Sequence, residues 1–397
     1  MKADVAVVGG GPAGAVLATL LARRGRHVVL FERSPAYRWR ACGVFTSPAS
    51  VAALEAVGLA RDTIGGLARP IPAMRVETDR GTSFRLAYGD DGSLTHPAVG
   101  FDRSTLDPAL LALAQADGAD VRLGETVRSV DPGQVLAQGS GGEVRVDARV
   151  VVGADGIRSV VARSFGVGRP VWLGSRVGLT FHVAEPSPAV ARDARMILFR
   201  DGYVGLAPVP GGRVNVGIVL GRSWARTLRE NGAEATVREV LAGVPAAADD
   251  PIDWGAPDRC DAIEGVAPLG HRVTRRHGPG WLLVGDAAGF LDPFTGEGLH
   301  RALVSASLAD AAIDGHLRRD AGALAAYDLA MDVRFRSKDV VSLLVQAFLA
   351  RSAIFEYAAR RLSARERVRE TMGLVMGDLV PASRALDPRF VTALLWP

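Results

Sequence analysis

The sequence predicts an α/β fold: a Rossmann-like parallel sheet with crossover helices, an inserted antiparallel sheet and a C-terminal helical region. Three observations predict it. The chain opens with an apolar run, a glycine-rich turn and an Ala/Leu-rich helical stretch, all between Lys2 and Arg33. Apolar strands that run into a glycine–aspartate turn recur at Gly153-Ala154-Asp155-Gly156 and Gly285-Asp286. Between them, residues 171–261 change to strand-dominated patterning, with Pro210-Gly211-Gly212 as a hairpin turn.

The opening unit carries the most specific signal. Asp4 to Val8 reads as a buried parallel strand, and Ala13 to Arg24 as a helix stopped by Gly25. Between them, Gly9, Gly11 and Gly14 have the spacing G-x-G-x-x-G, with Pro12 and Ala13 at the helix start. Gly9 allows the tight turn, Gly11 lets a pyrophosphate approach the backbone, and Gly14 lets the helix pack on the sheet. The open N–H groups of the helix then face the phosphates. A second strand, His27 to Phe31, ends at Glu32, 18 residues past Gly14, where a carboxylate meets the ribose hydroxyls of an adenine dinucleotide. The unit by itself does not separate NAD from FAD.

Composition narrows the class. The 397 residues are 48% hydrophobic and 23% charged, an ordinary globular balance with room for two or three domains. The two cysteines, Cys42 and Cys260, exclude a disulfide framework and point to a reducing, cytoplasmic setting. No apolar run reaches the length of a spanning helix, so stable membrane insertion is not expected. The net charge of +4 comes from scattered arginines interleaved with acids, and Lys2 and Lys338 are the only lysines. A nucleic-acid surface would gather them into a patch. No metal-ligand spacing occurs.

Along the chain, a helix is expected over Ser47 to Val57, stopped by Gly58, and a hairpin over residues 73–88 around Asp79-Arg80-Gly81. Asp102 or Ser104 should cap a helix running to Asp117. Val121 to Val130, Val135 to Ala137 and Val144 to Val146 suggest a meander. Arg176 to Ala184, Arg195 to Phe199, Tyr203 to Val209 and Arg213 to Leu220 read as strands of the inserted sheet, interrupted by a helix over Ala233 to Leu241. The dinucleotide fold resumes at Trp281 to Val284 and continues in a helix from Gly296 to Leu317. These readings place a discontinuous cofactor domain at 1–75, 100–170 and 262–322. The substrate sheet takes 76–99 and 171–261, and the helical region 323–397.

With three glycine–acid turns in this order, the chain resembles the class A flavoprotein monooxygenases and the related geranylgeranyl reductases. In that superfamily Asp155 belongs to the "DG" motif and Asp286 to the "GD" motif. The resemblance spans residues 1 to about 320 and implies a glutathione reductase-type FAD domain. It implies that Gly285 and Asp286 reach the ribityl chain and that Asp155 lies near the pyrophosphate. Pro293, Gly296, Gly298 and Leu299 would form the turn and helix start facing the flavin, where the helix dipole favours the negative charge of reduction. Arg33, Arg38, Arg40 and Arg103 are candidate contacts to adenine, ribose and phosphate.

Arg38-x-Arg40-Ala-Cys42-Gly43 is similar to the R-x-K-x-C-G loop of the geranylgeranyl reductase branch, which lies beside the isoalloxazine. Cys42 is therefore a candidate catalytic and cofactor-contacting residue, its thiol activated by the flanking arginines. His182, His271, His277 and His300 are candidate proton donors, with His300 chosen because it follows the flavin-facing turn by two residues. The tryptophan-rich segment and active-site lysine of the flavin halogenases are absent, which disfavours halogenation. The Tyr-x-Trp-x-Phe-Pro segment of prenyl reductases is broken at Gly205 and Leu206.

The expected function is an FAD-dependent monooxygenase acting on a hydrophobic, aromatic or polyketide-like small molecule. NAD(P)H would be the transient reductant, since no second dinucleotide fingerprint occurs. The alternatives are a geranylgeranyl reductase-like ene-reductase or dehydrogenase, and a non-catalytic carrier of FAD or a prenyl group.

Overall fold

A computed structural model of the chain describes all residues except 38, 40–42, 89–95, 172–175, 190, 248 and 397. The candidate residues Arg38, Arg40 and Cys42 lie outside the described residues.

The apolar opening run forms the strand Lys2–Val8 at the centre of an eight-stranded sheet. It pairs in parallel with Val28–Glu32 on one side and Gly142–Gly153 on the other. Trp281–Leu283 extends the sheet beyond Gly142–Gly153, and Asp120–Leu123 beyond Val28–Glu32. Parallel strands need their crossovers on the sheet faces. Pro12–Arg23 and Arg103–Ala116 supply them, and Gly298–Leu317, which follows the last strand, packs with them around Val16, Leu17, Leu106, Leu303 and Ala306. Each fully buried leucine there contributes roughly 2 kcal/mol of transfer free energy. The expected meander is present as Thr126–Asp131, Gln134–Gly139 and the first half of Gly142–Gly153.

The second sheet has seven strands, in the order Glu264–Val266, Val177–Ala184, Arg213–Leu220, Gly202–Val209, Ala194–Phe199, Ala73–Glu77, Ser83–Ala87. It is antiparallel except at one junction, where Ala194–Phe199 runs parallel to Ala73–Glu77. Strict alternation divides its side chains. Phe181, Val183, Val204, Leu206, Val216 and Ile218 point outward into a core closed by the helix Ala225–Ala242. That helix is longer than the sequence pattern predicts and breaks at Gly232, whose φ is 77°.

The C-terminal helices Ala323–Leu349, Ser352–Ala364 and Glu366–Met376 join the two sheets. Ala323–Leu349 packs on Gly298–Leu317, while the next two cover the strand Ser83–Ala87. Among the described residues no single helix is long and apolar enough to cross a membrane.

Candidate active site

The carboxyl ends of the parallel strands carry all three glycine–acid turns. At the first, Gly9 has a φ of 107°, and a Cβ there would lie 2.4 Å from the Ala154 carbonyl oxygen. Gly14 is equally constrained: its Cβ would fall 2.0 Å from the Gly9 carbonyl oxygen. Gly11 differs. Its backbone is extended and a Cβ would meet nothing within 4 Å. So the first and third glycines serve the fold, and the middle one faces open space. No side chain caps the helix that begins at Pro12, which leaves its first N–H groups directed into that space.

Glu32 is buried beside this turn. Its Oε2 accepts from the Gly10 N–H at 2.9 Å and its Oε1 from the Ser34 N–H at 3.0 Å. These bonds fix the carboxylate at the turn. Arg33 is exposed. Arg103 lies at a helix start whose cap is Asp102, which accepts from the Ser104 N–H. Its guanidinium pairs with Asp107 at 2.6 Å and donates to the Gly43 carbonyl at 3.1 Å.

The second turn fixes Asp155 through Oδ2, which accepts from the Val160 N–H at 2.6 Å. Its Oδ1 is buried without a partner among the described residues. Burial pushes this carboxyl above the usual range, against the pull of Ser159 and the local N–H groups. The third turn presents Asp286. Gly285, at φ 57°, anchors it by donating to Ser305 Oγ at 2.8 Å, and a Cβ on Gly285 would press on Ala13 at 2.9 Å. Burial pushes the Asp286 carboxyl up to about 6, opposed by the charges of Arg103 and Arg301. A raised carboxylate, an orphaned oxygen and an open glycine face meet at one sheet edge. This donor and acceptor set fits an extended diphosphate ligand with sugar and ribityl hydroxyls.

The turn Pro293–Thr295 follows, and Gly296 stands at φ 65°. Asp292 caps it by accepting from the Phe294 N–H at 3.0 Å. The same carboxylate accepts from the Tyr203 hydroxyl at 2.5 Å and from Arg176 at 2.7 Å. Tyr203 and Phe294 meet edge to face at 5.1 Å. This network ties the turn to the second sheet. Asp292 is 4% exposed, so Arg176→Met strands a buried charge and should cost about 3 kcal/mol, read as a lower urea midpoint at unchanged m-value.

The contacts of His300 are to the helix Ala323–Leu349. The residue is buried on the helix Gly298–Leu317, with its Nε2 receiving a hydrogen bond from Arg334 at 2.9 Å and its ring against Phe335. Burial pulls its pKa down; nearby Asp378 opposes this, while Arg334, Lys338 and Arg301 reinforce it.

His182 is different. It lies on Val177–Ala184 with its side chain on the inner face of the second sheet, only 2% exposed. Its Nδ1 is 2.6 Å from Asp261 Oδ2, and its own backbone N–H donates to Asp261 Oδ1 at 2.7 Å. The Trp39 ring lies 4.4 Å away. Neither Asp261 nor Trp39 was visible as a partner in the sequence, because the pairing needs the strand register across 79 residues.

On the same inner face, Gly205 pairs directly with Gly217. A Cβ on either would find no atom closer than 3.7 Å, and both are partly exposed in strands that are otherwise mostly buried. Ala207, Asn215 and Thr180 surround them, and Asn215 donates to Thr180 Oγ1 at 3.1 Å. Of the two residues that break the prenyl-reductase segment, Gly205 is the one that faces inward. Leu206 faces the outer core.

The comparisons with known proteins decide the family. The FAD binding domain family matches residues 2–328. The chain belongs to this family. It is 29% identical over 332 residues to a menaquinone reductase of Mycolicibacterium smegmatis, covering 78% of this chain and 75% of that protein. It is 31% identical over 330 residues to digeranylgeranylglycerophospholipid reductase 2 of Methanopyrus kandleri, covering 78% and 76%. It is also 30% identical over 315 residues to a 3-amino-4-hydroxybenzoate 2-monooxygenase of Streptomyces cremeus, covering 75% of each. A geranylgeranyl bacteriochlorophyll reductase-like structure from Thermoplasma acidophilum shares the fold, with a TM-score of 0.79 at 20% identity over 97% of this chain and 99% of that one. The chain is thus an FAD-binding oxidoreductase, and the cofactor ambiguity of the opening unit resolves to FAD.

Proposed function

We propose that this chain is an FAD-dependent monooxygenase that hydroxylates a hydrophobic, aromatic or polyketide-like molecule, with NAD(P)H as the electron source. The observation that carries the reading is the paired Gly205 and Gly217 on the inner sheet face. Two adjacent strands there present backbone alone, so a flat ring can lie on them. A prenyl-reductase segment would place large aromatic side chains at 205 and 207, and this chain has Gly205 and Ala207. The monooxygenase of Streptomyces cremeus supports the reaction type.

When bound, FAD supplies the redox chemistry between nicotinamide, oxygen and substrate. Gly11 and the helix start at Pro12 would hold its pyrophosphate, Glu32 its ribose and Asp286 its ribityl hydroxyls. The network of Arg176, Asp292 and Tyr203 would hold the 293–295 turn against the substrate sheet. Where the sheet meets the C-terminal helices, a narrow cleft is lined by Arg176, Leu198, Phe199, Tyr203, Leu349 and Phe355.

A second reading, reduction of the substrate, is supported by the two reductases that align over three quarters of the chain. Reconstituted holoprotein given NAD(P)H and a panel of hydrophobic phenols and polyprenyl compounds separates the two. Hydroxylated product formed only under air supports the first reading. Saturated product formed under nitrogen overturns it in favour of the second.

A further inference from the structure

His182 Nε2 and Trp39 Nε1 are both buried and without a hydrogen-bond partner among the described residues. Each orphaned group costs about 1–3 kcal/mol in the folded protein. They sit on rings whose centres are 4.4 Å apart, and they are chemically opposite. The indole N–H can only donate. The imidazole Nδ1 faces a carboxylate oxygen, which places the ring proton on Nδ1 and leaves Nε2 as an acceptor. A donor and an acceptor on adjoining rings suit a single hydroxyl, which accepts from one and donates to the other. His182 pairs with Asn215, and the next rung of that face is Thr180 with Gly217. The pair therefore stands two residues, about 7 Å, along the sheet from the glycine floor. A ring resting on Gly205 and Gly217 can reach it with a substituent.

We propose that Trp39 and His182 bind the hydroxyl of a phenolic substrate and that His182 takes its proton. The proposal rests on the reading above and names its substrate class. The step is a proton transfer without redox change: the phenol O–H bond breaks, the Nε2–H bond forms, and the phenolate keeps the electron pair. Asp261 is a positioning residue, holding the ring through Nδ1–H and stabilising the imidazolium. The phenolate is the more electron-rich ring for an electrophilic oxygen donor.

The test is an equilibrium one, made with oxidised holoprotein and para-nitrophenol in the absence of NAD(P)H. At a pH where the free dye is mostly protonated, binding to the unaltered chain should develop the yellow phenolate colour. His182→Gln should remove the ionisation and weaken binding about tenfold. Trp39→Phe should weaken binding by a similar factor while keeping the colour change. Asp261→Asn is informative because its amide donates to Nδ1 and forces the proton onto Nε2. Dye should still bind there but stay protonated. The flavin spectrum of each variant reports folding, and Trp39→Phe and Asp261→Asn keep the test valid where His182→Gln is not isolated. Equal dye ionisation in His182→Gln or Asp261→Asn, or no dye binding to the unaltered holoprotein, overturns the proposal. Such a failure with oxygen-dependent hydroxylation intact leaves the proposed function standing. Saturated product under nitrogen removes that function whatever the dye shows.

Discussion

Gly11→Ala should yield a folded protein that does not retain FAD. The Gly11 backbone is extended, a conformation open to any residue, and its Cβ would meet no protein atom within 4 Å. Its thermal midpoint without cofactor should match that of the unaltered chain. The added methyl occupies the approach of the pyrophosphate, and a forced contact of this kind costs about 1–3 kcal/mol, up to roughly 100-fold in affinity. Gly14→Ala, three residues on, should fail in the opposite way. Its methyl would lie 2.0 Å from the Gly9 carbonyl oxygen, so the helix must move off the strand at about 3 kcal/mol or more. Flavin titration and urea unfolding of the two variants separate the roles. Equal stability losses would contradict the assignment of Gly11 to the ligand.

Asp286 should show a trade between stability and binding. In the cofactor-free protein burial lifts its carboxyl to about 6, from an ordinary 3.8. A raised carboxyl favours the folded state below the unfolded value, and that contribution is lost as pH rises through 6. At pH 8 the ionised group costs up to about 3 kcal/mol. Asp286→Asn should therefore raise the thermal midpoint of the cofactor-free protein at pH 8 and change little at pH 4. FAD should respond in the other direction. Hydroxyls that donate to the carboxylate favour its charged form, so affinity in the unaltered chain should fall as pH drops through 6. Asp286→Ala should lose about 10- to 100-fold in affinity at pH 8. A pH-independent FAD affinity would remove Asp286 from the ligand site.

These two positions were legible in the sequence for the same reason. Each belongs to a strand–turn–helix unit whose parts lie within about 20 residues, and the turn can be satisfied only by certain residue types. The Asp102 cap and the Gly58 stop were readable on equally local grounds. The substrate face was not. Which of Gly205 and Leu206 faces inward depends on the strand register, and a shift of one residue exchanges them. The pairing of His182 with Asp261 depends on a return of the chain that no local pattern encodes. His300 drew attention by proximity to the flavin-facing turn, but helix periodicity turns it toward Arg334 and Phe335.

The C-terminal helices have a consequence for self-association. Ser83–Ala87 is the last strand of the seven, with no further strand on its outer side among the described residues. The helices Ser352–Ala364 and Glu366–Met376 lie over it so closely that a Cβ on Gly373 would fall 2.4 Å from the Ala87 carbonyl oxygen. Thr78 and Thr82, in the turn beside it, are tied to Glu356 at 2.6 and 2.5 Å. An open strand edge recruits strands from other copies. The tail therefore occupies the edge on which a strand of another copy would otherwise pair.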